Sequence, residues 1–228
     1  MGKFEQAGEI GKRRKFIKTN FLAFPGDGFS YIRYRVLRPL LKLFTHWQRG
    51  KFKPHPWLTP AAINIFDAIL NKEMTGLEYG SGSSTLFFAS RLGQLESIEH
   101  NKDWYEKVIN MLGSARVQNV NLHLIPENKA DETETDLGIQ GFEPRKSYTN
   151  YFGKVREYPD HHFDFILIDG RARVECTVYA IPKLKSGGIL ALDNSERRRY
   201  TPVFDLLSDW QMVNTTNGLT NTTIWFKP

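Results

Sequence analysis

The chain has 228 residues, 40% of them hydrophobic, and a formal charge of +6; a chain of that length buries roughly 70–75% of its unfolded surface in one substantial core. No apolar run approaches the ~20 residues that span a bilayer. Lys3, Lys12, Arg13, Arg14, Lys15 and Lys18 interrupt any signal-type apolar segment near the start, so a cytoplasmic location is expected. The single Cys176 excludes an internal disulfide framework and a cysteine-rich metal site.

The charge is unevenly placed. Residues 1–56 hold 13 Lys/Arg against 3 Asp/Glu, net +10, whereas residues 57–228 hold 18 against 22, net −4. The chain therefore reads as a basic N-terminal extension (1–56) and a mildly acidic globular domain (57–228). Such a domain is not expected to bind nucleic acid. Residues 1–28 show no period and read as poorly ordered. Over residues 29–47, Val36, Leu37, Leu40, Leu41, Leu43, Phe44 and Trp47 share one helical face, and Tyr31, Arg35, Arg38 and Lys42 the opposite one. A basic amphipathic helix of this kind either touches an anionic membrane surface or a partner, or packs on the core.

Thr59-Pro60 is a helix start, with an N-cap followed by proline at the first position, and apolar residues continue to Leu70. Helical and strand patterns then alternate. Strands are predicted at residues 76–79, 95–99, 120–125, 163–169 and 188–192, and helices at 84–92, 102–112, 173–184 and 203–207. This alternation predicts βαβ units: an α/β fold with a doubly wound, mostly parallel sheet and helices on both faces. Two closing strands, 210–215 and 222–226, flank Asn217-Gly218, and a connection that short joins antiparallel neighbours. The predicted sheet thus has seven strands with an antiparallel last pair. The interval 126–162 is too long for an ordinary connection and reads either as a lid or as surface decoration. Its first part is acidic and its second, "SYTNYFGKV", aromatic.

In such sheets ligands bind beyond the carboxyl ends of the strands, where the strand order reverses. "LEYGSGSST" (77–85) brings Glu78, Gly80, Ser81, Gly82, Ser83, Ser84 and Thr85 to that place. A dinucleotide pattern needs glycine at position 85, and Glu78 would bring a carboxylate toward a diphosphate. A carboxylate suits a cationic amino group instead, such as that of S-adenosylmethionine. Glu99, at the end of the next strand, is placed to accept bonds from ribose hydroxyls.

"LEYGSGSST", "SIEHNKDWYEKV", "FDFILIDGRAR" and "LKSGGILALDNSER" together resemble the strand-end motifs of the class I S-adenosylmethionine-dependent methyltransferases, a Rossmann-like family. The likeness covers about residues 57–228, and Ser84 stands where that family often has a third glycine. The resemblance implies that Glu78 and the 80–85 loop meet the methionine end and that Glu99 takes the ribose. His100 or the residues after Ile125 would border the adenine. Trp57 to Thr59 either close over the cofactor or clamp the core.

Asp169 and Asp193-Asn194 end two buried strands and would face one crevice, where two carboxylates repel unless a proton or a cation intervenes. The cation is either Mg²⁺, held by Asp169, Asp193 and Asn194, or an arginine among Arg171, Arg173 and Arg197–Arg199. Asp169 is the expected catalytic residue, orienting the acceptor or the cofactor. His161 and His162 are either a general base or plain loop residues. "SERRRY" (195–200) either binds a sugar acid or phosphate or is a solvated helix start, and Cys176 reads as an apolar filler.

The expected activity is methyl transfer to an oxygen of a small acceptor, such as a sugar or other glycan hydroxyl, with any peripheral membrane contact coming through residues 29–47. The competing expectations are a nicotinamide-dependent oxidoreductase of the same fold, a non-catalytic cofactor-binding interaction protein, and a membrane- or partner-docking scaffold.

Overall fold

The computed structural model describes residues 56–128, 137–217 and 219–228, and elsewhere only Gly2, Glu5, Pro39, Leu40, Leu43 and His46. The expected disorder of residues 1–28, and most of the amphipathic helix of 29–47, lie outside the described residues. Pro39, Leu40, Leu43 and His46 are helical, with Leu40 and Leu43 exposed. No described helix is long and apolar enough to cross a membrane.

The domain opens with α1 (Pro60–Ile69), β1 (Thr75–Tyr79), α2 (Ser83–Ala89), β2 (Gln94–Glu99), α3 (Lys102–Ser114) and β3 (Val120–Leu124). There follow α4 (Thr149–Gly153), β4 (Phe163–Ile168), α5 (Arg173–Ala180), β5 (Leu184–Asp193), α6 (Thr201–Leu206), β6 (Gln211–Thr216) and β7 (Asn221–Phe226). The seven strands form one sheet in the order β3-β2-β1-β4-β5-β7-β6. The first five are parallel, and β7 runs antiparallel to both β5 and β6. The predicted sheet and its reversed last pair are therefore as expected. The strand order reverses between β1 and β4, which fixes the crevice over their carboxyl ends.

Alternation along the buried strands builds two cores, one on each face. In β4, Ile166 and Ile168 point to the layer containing Tyr151, Val174 and Trp225; Phe165 and Leu167 point to the layer containing Ile65, Phe66 and Phe88. In the second layer Phe66, Phe88 and Phe165 pack ring against ring at 4.8–5.6 Å between centroids. Each such pair contributes about 0.5–1.5 kcal/mol beyond its buried area.

Two predicted boundaries move by four residues, the largest shifts. The helix from Arg173 ends at Ala180, and the chain continues as a 3₁₀ turn, Ile181–Lys183. The strand expected at 188 begins at Leu184, with a shift of register against β4 that accommodates Gly187 at φ +69°. The extra residues form a bulge, which pattern reading cannot see.

The insertion is not surface decoration throughout. Tyr151, Phe152 and Val155 are fully buried, and the Tyr151 ring meets Tyr79 edge-on at 5.4 Å. Residues 129–136 of its acidic part lie outside the described residues.

At the other end, Thr59 caps α1 and ties it to the last two strands. Its backbone N–H donates to the Thr222 hydroxyl (3.2 Å), and its own hydroxyl bonds that of Thr215. Thr222 in turn donates to Asp193 Oδ1 at 2.8 Å.

Candidate active site

A cavity of about 730 Å³ lies over the carboxyl ends of β1, β2, β4 and β5, within the 300–1,000 Å³ usual for small-ligand sites. Its walls include the 80–84 loop, Glu99, His100, the Asp169–Arg173 turn, Asp193 and Asn194. Of the sequence-predicted residues, Gly80, Ser81, Gly82, Ser83, Ser84, Glu99, His100, Asp169, Asp193 and Asn194 all meet at this cavity. Glu78 and Thr85 are not on its wall.

Glu78 is fully buried beneath the loop. Its Oε2 accepts hydrogen bonds from the hydroxyls of Thr85 (2.6 Å) and Ser97 (2.8 Å). Burial pushes its pKa from 4.5 up to about 7, against the hydrogen bonds of Ser84, Thr85 and Ser97. The Thr85 hydroxyl also accepts the Gly82 N–H (2.8 Å), so position 85 locks the loop where a dinucleotide fold would place glycine. Glu78 shapes the loop from below.

Gly80 has φ +94°, and a Cβ added there would lie 2.8 Å from the Gly170 backbone. The loop between β1 and α2 thus depends on glycine for both its conformation and its approach to the β4 turn. Gly80→Ala is expected to cost about 1–3 kcal/mol in urea unfolding; an unchanged midpoint would mean that the loop rearranges freely.

Glu99 is almost wholly buried, yet it reaches the cavity. Its Oε2 accepts the Ser81 N–H (3.0 Å), and its Oε1 accepts those of His100 (2.9 Å) and Asn101 (2.8 Å). One carboxylate therefore fastens two ligand loops to each other. A carboxylate offers about four acceptor sites, so these three bonds leave Glu99 some acceptor capacity. His100 sits beside it, with Nδ1 2.8 Å from Glu99 Oε1 and its ring edge-on to Tyr148 and Tyr151.

Across the crevice, Arg173 is buried and its guanidinium joins the ends of β4 and β5. It donates to Asp169 Oδ1 (2.8 Å), Asp169 O (2.8 Å), Gly170 O (3.0 Å) and the carbonyl of Asp193. Burial, then the neighbouring Asp169 charge, pushes Asp193 up to about 8; Asp169 is raised by burial and held back by Arg173. Asp193 therefore holds a proton more readily than Asp169, whose charged form Arg173 favours. Of the two cations weighed from sequence, an arginine, Arg173, pairs with the Asp169 carboxylate, whereas it reaches Asp193 through the backbone carbonyl. The donor set does not fit Mg²⁺: Arg173 engages Asp169, Thr222 engages Asp193, and among the described residues no cluster of three His, Cys, Asp or Glu side chains is gathered for a metal. Ala172 (φ 47°) and Asn194 (φ 49°) hold left-handed backbone at the turns after β4 and β5, a strain typical of functional sites.

Several wall residues escaped the sequence reading, among them Trp104, Phe142 and Arg145. Trp104, in the first turn of α3, donates its indole N–H to Ser81 O (2.6 Å) and flanks Gly82. Phe142 and Arg145 come from the insertion, whose second part thus borders the cavity. An aromatic residue one turn past the acidic strand end was a usable signal for Trp104; nothing local signalled the other two. Trp57, 59% exposed, is also on the wall, whereas Thr59 serves as the cap of α1. His161 is exposed and His162 stacks on Tyr158; neither lines the cavity, so neither is placed as its general base. Cys176 is buried, as expected of a filler.

The fold is similar to that of solved methyltransferase structures. A methyltransferase-like protein from Silicibacter pomeroyi is 22% identical over 77% of this chain and 89% of its own, with a TM-score of 0.55. A Staphylococcus aureus protein assigned as a caffeoyl-CoA O-methyltransferase is 14% identical, over 88% of this chain and 93% of its own, at 0.53. A Streptococcus mutans protein solved in complex with S-adenosylhomocysteine is 11% identical, over 73% of this chain and 96% of its own, also at 0.53. At these identities the likeness is one of fold. No protein-family model and no curated protein sequence matches the chain.

Proposed function

We propose that the chain is an S-adenosylmethionine-dependent methyltransferase that methylates a hydroxyl oxygen of a small acceptor, such as a sugar. The observation that carries this reading is the joining of the 80–84 loop to Glu99 on one side of a cavity whose other side presents Asp169. The residues fit the cofactor by donor chemistry: Glu99 keeps acceptor capacity for a ribose hydroxyl, and the small residues Gly80 to Ser84 leave space beside Trp104 for the nucleoside. When bound, S-adenosylmethionine supplies a methyl group activated on a sulfonium. Asp169, 22% exposed on the cavity wall, orients the acceptor hydroxyl and takes its proton. Trp57 and the Phe142–Arg145 segment exclude water from above.

An oxygen acceptor is supported by this single basic carboxylate at the reacting side, and a small acceptor by the net −4 of residues 57–228. Residues 29–47, with their basic face, are the part we assign to an anionic membrane surface or a partner.

The test is calorimetric titration of the full chain with S-adenosylhomocysteine. Wild type is expected to bind in the micromolar range, and Glu99→Ala about a hundredfold more weakly, since a charged acceptor is lost and the Ser81 loop is released. No binding by folded wild type would overturn the proposal.

A further inference from the structure

Four arginines from three separate segments stand on the cavity wall: Arg145 from the insertion, Arg171 from the turn after β4, and Arg197 and Arg199 from the turn after β5. All four are exposed at its rim. Their charges are poorly compensated among the described residues. Arg171 Nε points to His100 Nε2 at 3.4 Å, and Arg199 donates to the Tyr200 hydroxyl (2.9 Å) over that residue's ring. Arg197 has one carboxylate within ion-pair distance, Glu196 at 3.9 Å, and acts on Asp169 from farther away. Most acids of the same wall are committed elsewhere: Asp169 to Arg173, Glu99 to three backbone amides, Glu175 to the Arg145 N–H at 2.8 Å. Glu143 is the one exposed carboxylate on that wall.

Position separates this charge from the nucleoside side. The end of β5 lies three strands from the end of β2 in the sheet order, roughly 14 Å at ~4.8 Å per strand. Arg197 and Arg199 therefore face the far half of the crevice, beyond Asp169. The domain as a whole is negative, so the positive charge is local to the cavity and suits a small anion rather than a polyanion.

We infer that the methyl acceptor carries an acidic group, a carboxylate or a phosphate, seated by Arg197 and Arg199 with Arg145 facing it from the insertion. This rests on the methyltransferase reading and adds to it the charge of the substrate. The guanidinium fork matches either oxyanion in two-point contact, which fixes the orientation of the acceptor hydroxyl toward Asp169.

Arg198 provides an internal control, because it lies between the two arginines in sequence and is exposed but is not on the cavity wall. The experiment titrates inorganic phosphate, and separately malonate, into the full chain with and without saturating S-adenosylhomocysteine. Saturable binding is expected, weakened about tenfold by Arg197→Gln or Arg199→Gln and unchanged by Arg198→Gln, with S-adenosylhomocysteine affinity unaltered in all three. The tighter of the two probes identifies the acidic group. Absence of saturable binding, or an equal loss in Arg198→Gln, would overturn the inference. If wild type fails to bind S-adenosylhomocysteine but shows this arginine pattern, the anion site stands and the methyltransferase reading falls.

Discussion

Arg173→Met is expected to lower the unfolding free energy by about 3–5 kcal/mol, the range found when one partner of a buried ion pair is removed. The guanidinium is 7% exposed and makes four hydrogen bonds that join the ends of β4 and β5. Methionine fills much the same volume but leaves the Asp169 carboxylate without its counter-charge and the carbonyls of Asp169, Gly170 and Asp193 without this donor. Urea unfolding should show a lower midpoint at unchanged slope. Adding Asp169→Asn removes the orphaned charge and should recover about half of the loss, a coupling that a double-mutant cycle reads directly. A loss below about 1 kcal/mol for the single variant would show that the pair does not hold the two turns together.

The second large effect is on pH dependence. Glu78, raised from 4.5 to about 7, is protonated in the folded chain at pH values where the unfolded chain has released its proton. Its contribution to stability is therefore full below about pH 4.5 and is lost as pH rises toward 7, by about 3 kcal/mol in all. Asp193, raised to about 8, carries the same decline further up the scale. Glu96 acts in the opposite sense: hydrogen bonds from His123, Tyr158 and Asn121 outweigh its burial and lower its pKa, so its contribution is lost as pH falls. Together these three groups favour the folded chain in mild acid. Measured by urea unfolding between pH 5 and 7.5, Glu78→Gln should flatten much of the decline seen in wild type. Equal slopes in the two proteins would assign the decline to other groups.

The burial that causes this effect was not legible in the sequence. Glu78 stands between Leu77 and Tyr79, and in a strand covered on both faces all three are buried, so alternation does not tell which side a polar residue takes. The carboxyl-end residues were legible for a different reason. Gly80, Glu99, Asp169 and Asp193 each end an apolar run, and a parallel sheet brings such ends to one edge whatever the loops do. Arg145 and Phe142 were hidden, since their place depends on how Tyr151 and Phe152 dock the insertion against β1 and α5. That docking is a long-range packing event with no local pattern. The arginines of 195–200 were visible as a run, but only the fold distinguishes Arg197 and Arg199 from Arg198.

The bonds from Thr59 to Thr215 and Thr222 span 156 and 163 residues of chain. The first helix of the domain is thus seated by its last two strands, and those strands also supply the hydroxyl that engages Asp193. Until β6 and β7 are in place, α1 keeps its local cap at Thr59 but lacks these two bonds to the sheet. Closure of that loop is an entropic cost met before its contacts form, which makes joining the two ends a late and slow step of folding. The order of assembly then follows from two threonines: the sheet can grow from its middle, but the crevice acquires its final floor only when the end of the domain meets its beginning.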